Sequence, residues 1–267
     1  MKHTLAVTCF VVSTVLLSQQ PQTAATRGPL RILPVDVDPN DHEGFTQIFD
    51  GSSLKGWDAN PAVWSVKDGA LVGEYTSLEG TRNPQTFAIY RGAEPADFEL
   101  KLEVKLEGEQ ADSGIQYHSY PAQPVTPHPG APVFPQDPKW NLAGLQFDLS
   151  LQRDGNNIGI LAEGGGRGII GERGQIVHTQ TGKTPQLLGE LASSKDLSSF
   201  FKPHDWNSIH LIVRGHTVVQ RINGRTVAIL IDDDTAKWKP SGVIGLQCAG
   251  PGSVRISFRN VWLKPLP

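Results

Sequence analysis

Cysteine is almost missing from this chain: its 267 residues include two, Cys9 and Cys248. Cys9 lies within an apolar run, Leu5 to Leu17, that follows basic Lys2 and His3 and precedes small polar residues up to Ala25. A bilayer span needs about 20 apolar residues, so this run is too short to be one. Its three-part form is that of a secretory signal. The reading predicts a signal peptide over residues 1–25, a periplasmic or secreted protein, and no stable membrane insertion after cleavage. Cys9 inside the run, rather than at its end, excludes a lipoprotein. Cys248 is then the one cysteine left, so no internal disulfide can form and the thiol reads as buried and inert.

Other absences narrow the function. Basic residues are scattered and the net charge is −3, which argues against nucleic acid as a partner and favours a small, neutral or polar one. Gly164-Gly165-Gly166-Arg167-Gly168 lacks the Lys-Ser/Thr pair of a phosphate loop. His178, His204, His210 and His216 lack metal-ligand spacing, and Asp232-Asp233-Asp234 lacks the glycine of a calcium loop and reads as a solvated turn. No cofactor is called for, and no spacing supports a divalent metal. Aromatic residues make up 7% of the chain, which favours an enzyme modestly over a binding platform built from a row of exposed rings.

Helical periodicity is scarce as well; Ser193–Phe201 is one short candidate. What fills the chain is strand pattern. Phe98, Leu100, Leu102, Val104 and Leu106 alternate with Glu99, Lys101, Glu103, Lys105 and Glu107, one face for core and one for water. Asp68-Gly69 and Asn223-Gly224 are pairs suited to the positive φ angles of tight hairpins. Many short strands with Gly, Pro, Asn and Asp between them predict an all-β sandwich. Residues 26–43, rich in proline and aspartate, read as a strap or linker, and 44–267 as one domain. The proline-rich stretch 126–138 reads as a long ordered loop.

The stretches "GFTQIFDGSSLKGW", "DSGIQYHS" and "HDWNSIHLIVRGHTVVQRINGRTVA", with the closing "ISFRNVWLKPL", resemble the 3-keto-disaccharide hydrolase family. The resemblance implies a concanavalin A-like β-sandwich (jelly roll) of two antiparallel sheets. It also implies a hydrolase acting on sugars already oxidised at carbon 3. Two departures stand out: His118 where relatives often carry Arg, and Cys248 where they often carry His.

In such a substrate the ketone acidifies the hydrogen on carbon 2. A base removes it, the group on carbon 1 leaves, and water adds to the product. The site needs a base, an acid and donors for the enolate oxygen. Gln146 and Asp148 are two apart on one strand and share a face, opposite Leu145 and Phe147. Glu163 is expected at the end of the strand Asn157–Ala162, before glycines that allow a sharp turn, with Arg167 on that turn. Gln116 and His118 share a face by the same alternation. The candidate catalytic residues are therefore Glu163, Asp148 and His118. Gln146, Arg167 and Gln116 are candidates for binding a small sugar substrate, with Trp140 and Trp57 to stack on it. A binding module without catalysis, and an ordinary retaining glycosidase with two carboxyl groups across the bond, are the competing readings. The second ranks lower because Gln146 stands where a strand carboxylate would be expected.

Overall fold

The computed structural model describes residues 38, 40–122, 135–155 and 157–267. The predicted signal peptide, most of the strap and most of the proline-rich loop lie outside the described residues. Two sheets face each other across one core. The first runs β12 (Gln186–Glu190), β11 (Gln175–Gln180), β15 (Arg225–Asp233), β14 (Thr217–Ile222), β13 (Asn207–Arg214), β6 (Phe98–Glu107), β17 (Val254–Pro265), β4 (Ala70–Tyr75) and β3 (Trp64–Lys67), with the short β1 (Thr46–Gln47) also on β17. The second runs β10 (Gly168–Gly171), β9 (Leu161–Gly164), β8 (Leu142–Ser150), β7 (Asp112–Pro121), β16 (Val243–Cys248), β5 (Thr86–Tyr90) and β2 (Trp57–Asp58). Pairing is antiparallel except between β11 and β15, which run parallel.

The strand predictions rest on the same physics that the structure displays. Leu100, Leu102, Val104 and Leu106 of β6 are buried between the sheets with Phe147 and Leu145 of β8 and Ile115 and Tyr117 of β7. Asp68 (φ 51°) with Gly69 (φ 75°), and Asn223 (φ 48°) with Gly224 (φ 78°), take the left-handed angles that a two-residue hairpin requires. The helix α1 covers Ser194–Ser198, its first turn capped by the Ser193 side chain. Cys248 is fully buried, and burial pushes its thiol pKa up. Among the described residues no helix is long and apolar enough to cross a membrane.

Candidate active site

The outer face of the seven-stranded sheet carries polar side chains on neighbouring β7, β8 and β16, beside a smaller apolar cluster on β5 and the start of β8. Gln116 on β7 lies directly across from Gln146 on β8, and Gly114 across from Asp148, so Gln116, Gln146 and Asp148 share that face as the alternation predicts. Gly114 has a particular use here. A side chain at that position would run into the Gln146 amide, with Nε2 only 2.1 Å from the added carbon. The glycine lets Gln146 lie across β7 and donate to Gln247 Oε1 on β16 at 2.5 Å. The contacts continue: Gln247 Nε2 donates to Gln85 Oε1 (2.9 Å), Gln85 Nε2 to Asn141 Oδ1 (3.0 Å) and Asn141 Nδ2 to Gln136 Oε1 (2.9 Å). Gln116 turns its amide nitrogen to the Leu145 carbonyl (3.0 Å) and Ser119 Oγ (2.7 Å).

Beside this amide chain stands a carboxyl pair. Asp148 Oδ1 is buried with no hydrogen-bond partner among the described residues. Burial, and after it the charge of Asp112, holds the Asp148 pKa well above the usual carboxylate range, against the pull of the Leu149 backbone. Asp112 is raised as well, by burial, with Ser150 and Arg82 acting in the opposite sense. Asp112 was not among the sequence candidates, although Asp112, Gly114 and Gln116 follow the same period-two face.

Other candidates stand elsewhere. Glu163 is inside β9 rather than at the end of the preceding strand, because the chain turns through Gly159 (φ 82°) and pairing begins at Leu161. Its partner across the ladder is Leu145, an inward residue, so Glu163 points between the sheets, on the opposite face from Asp148. There it accepts from the Arg167 backbone N–H at 2.8 Å and lies 3.5 Å from Arg167 Nε. The Arg167 guanidinium forks onto Asp232 at 2.8 and 2.9 Å, and Thr179 Oγ1 donates to the same carboxylate at 2.6 Å. Arg167 is thus turned inward as a clasp between sheets, and Asp232, expected on a solvated turn, is fully buried at the end of β15. Burial of Arg167 opposes its charge, but Asp232 and then Glu163 outweigh that and raise its pKa.

His118 is also displaced from the Gln116 face. It takes φ 46° where the β7 register slips, and its ring packs on Phe98, Tyr117 and Trp238, with Nε2 2.7 Å from the Ala96 carbonyl. Burial lowers its pKa. Trp57 is buried against Tyr90, its indole N–H donated to the Ile48 carbonyl, which rules it out as a stacking platform. Trp140 stays half-buried at the outer face, beside Phe87, Ile89, Leu142 and Val243, and donates to Asp58 at 2.6 Å. His178 on β11, which lies alongside β15, and His216 in the turn between β13 and β14 both reach the Asp233 carboxylate, at 2.8 and 2.9 Å. Among the described residues no group of His, Cys, Asp and Glu is placed to hold a metal ion.

The two packed sheets define an all-β sandwich of the jelly-roll kind. A Bacillus subtilis protein of unknown function with a galectin-like fold superposes at TM-score 0.52 and 12% identity, covering 83% of this chain and 94% of that one. A Parabacteroides distasonis protein provisionally named a glycosyl hydrolase matches at TM-score 0.48 and 16% identity, covering 88% of this chain and 99% of its own. No curated protein is significantly similar in sequence. Residues 44–264 match the model of the 3-keto-alpha-glucoside-1,2-lyase-like domain, and the chain belongs to that family. Membership places it among carbohydrate-active proteins.

Proposed function

We propose that this protein is an exported enzyme that cleaves 3-keto-glycosides, with Asp148 and Asp112 as its proton-transfer pair. The observation that carries this reading is the buried, unpartnered Asp148 Oδ1 on the sheet face it shares with Asp112, beside a run of neutral amides. In the singly protonated pair, the ionised carboxylate takes the hydrogen from carbon 2. The electron pair left there becomes an enolate with the ketone oxygen and then closes the double bond between carbons 1 and 2 as the carbon 1 to oxygen bond breaks. The protonated carboxyl gives its proton to the departing oxygen. Carbon 2 and the glycosidic oxygen are neighbours in the substrate, so one pair can serve both from one side. Water adding across the double bond completes net hydrolysis. Neutral amides such as Gln146 and Gln116 suit a neutral sugar, whose hydroxyls both donate and accept.

Export rests on the apolar run near the N-terminus. A non-catalytic sugar-binding module is the weaker reading: Tyr120 is the one large aromatic exposed among the described residues. The test is to incubate the purified protein with a glucoside and with its 3-keto derivative and follow release of the aglycone. Cleavage of the oxidised substrate alone is expected, and Asp148→Asn and Asp112→Asn should each slow it by about 10²–10⁴-fold. Equal cleavage of the unoxidised glucoside would refute the chemistry, and full activity in Asp148→Asn would refute the site.

A further inference from the structure

A second cluster of ionisable groups occupies the outer face of the ten-stranded sheet, on the far side of the sandwich from Asp148. Lys101, His210 and Arg221 stand directly across from one another on β6, β13 and β14. Adjacent strands are about 5 Å apart, so the three side chains form one short row. With Asn40, Glu103 and Asn260 they line a cavity of about 80 Å³. A water needs about 10–15 Å³ of such space, which leaves room for a molecule of about five or six heavy atoms.

Two polar atoms at this cavity are buried without a partner: Arg221 Nε and His210 Nδ1. The other His210 nitrogen fixes what Nδ1 offers. Nε2 lies 2.7 Å from Glu99 Oε2, a carboxylate that only accepts, so Nε2 carries the hydrogen and Nδ1 of the neutral ring presents a lone pair. Burial lowers the His210 pKa against the pull of Glu99, and the Lys101 and Arg221 charges add to the lowering. The ring is therefore neutral near pH 7. Glu103 pairs with Arg259 at 2.9 Å and Glu99 faces His210, whereas among the described residues no carboxylate pairs with Lys101 or Arg221. Lys101 donates to the Asp38 and Asp41 carbonyls, so Arg221 is the cation at this cavity whose Nε is left without a partner.

We propose that this cavity binds a small hydroxy carboxylate, whose carboxylate accepts from Arg221 while its hydroxyl donates to His210 Nδ1. The inference is independent of the sugar chemistry on the other sheet. Glycolate, with five heavy atoms, is the probe. Calorimetric titration of the full protein at pH 7 should show it binding at about millimolar Kd. Acetate, which lacks the hydroxyl, should bind about 3–10-fold more weakly. Arg221→Gln should abolish binding, and Arg221→Lys, which keeps the charge but loses the fork, should weaken it about tenfold. Asp148→Asn should leave it unchanged. Glycolate failing to bind, glycolate and acetate binding equally, inorganic phosphate binding more tightly than glycolate, or either folded Arg221 variant binding like the parent would each overturn the proposal.

Discussion

Replacing Arg167 by methionine should damage the fold far more than the chemistry. Its guanidinium makes two hydrogen bonds to Asp232, whose side chain is 0% exposed, while Arg167 itself is 13% exposed. Methionine fills much of the same volume but leaves Asp232 with Thr179 Oγ1 as its side-chain donor. Uncompensating one member of a buried pair costs about 3–5 kcal/mol, because the remaining charge has lost its counterion and cannot regain water. For a domain of this size each kcal/mol moves Tm by about 2–4 °C, so the variant should melt about 6–20 °C below the parent. Glu163→Gln removes a more distant charge and weakens one bond to a backbone N–H, and should cost about 1–2 kcal/mol. Scanning calorimetry of the parent, both single variants and Arg167→Met/Asp232→Leu measures the whole set. The double variant should recover part of the loss, since Asp232 then no longer carries a buried charge and Glu163 keeps its bond from the backbone N–H of residue 167. An Arg167→Met protein melting within about 2 °C of the parent would refute the clasp, and so would a Glu163→Gln protein that loses more stability than Arg167→Met.

Three further outcomes follow from the same geometry. Asp148 is raised in the folded state, so it binds its proton more tightly there than in the unfolded chain; the stability this gives is full below the ordinary carboxylate pKa and declines as pH rises towards the folded value. Asp148→Asn should therefore gain Tm relative to the parent at pH 7 but not at pH 3.5, while losing turnover; equal shifts at the two pH values would contradict the raised pKa. Gly114→Ala should swing Gln146 off Gln247 and raise KM or lower kcat at least tenfold with a small change in Tm, checked by steady-state kinetics beside a melt, and unchanged kinetics would count against the amide chain as part of the site. Cys248 should not react with a thiol reagent until the protein unfolds; labelling of the native protein at the rate of a free thiol would mean that this strand opens readily.

Local rules carried the sequence reading a long way. A two-residue period fixes which side chains share a strand face, and so the outward pairing of Gln146 with Asp148 followed from their spacing alone. It stops where register depends on something remote. His118 would share the Gln116 face if β7 were regular, but one residue at φ 46° resets the alternation. Glu163 departs from its expected place because the apolar residues before it pattern as a strand but turn, and whether it then faces in or out is decided by its partner on β8. The Arg167 fork onto Asp232 joins positions 65 residues apart, a distance over which no periodicity speaks. Asp112 could have been found, since extending the Gln116 alternation by two steps towards the strand start reaches it.

The run of side-chain amides across the second sheet also has a direction. From Gln146 through Gln247, Gln85 and Asn141 to Gln136, each residue gives a hydrogen to the next, and none can be turned over without turning its neighbours. Such a chain behaves as a polarised line, with an oxygen at its first end and a nitrogen at its last. Whatever meets Gln146 therefore meets an oxygen whose preference was settled four residues away, at Gln136. A Gln136→Lys substitution, which can only donate, would push every link the other way and present a nitrogen where the proposed substrate would otherwise meet an acceptor.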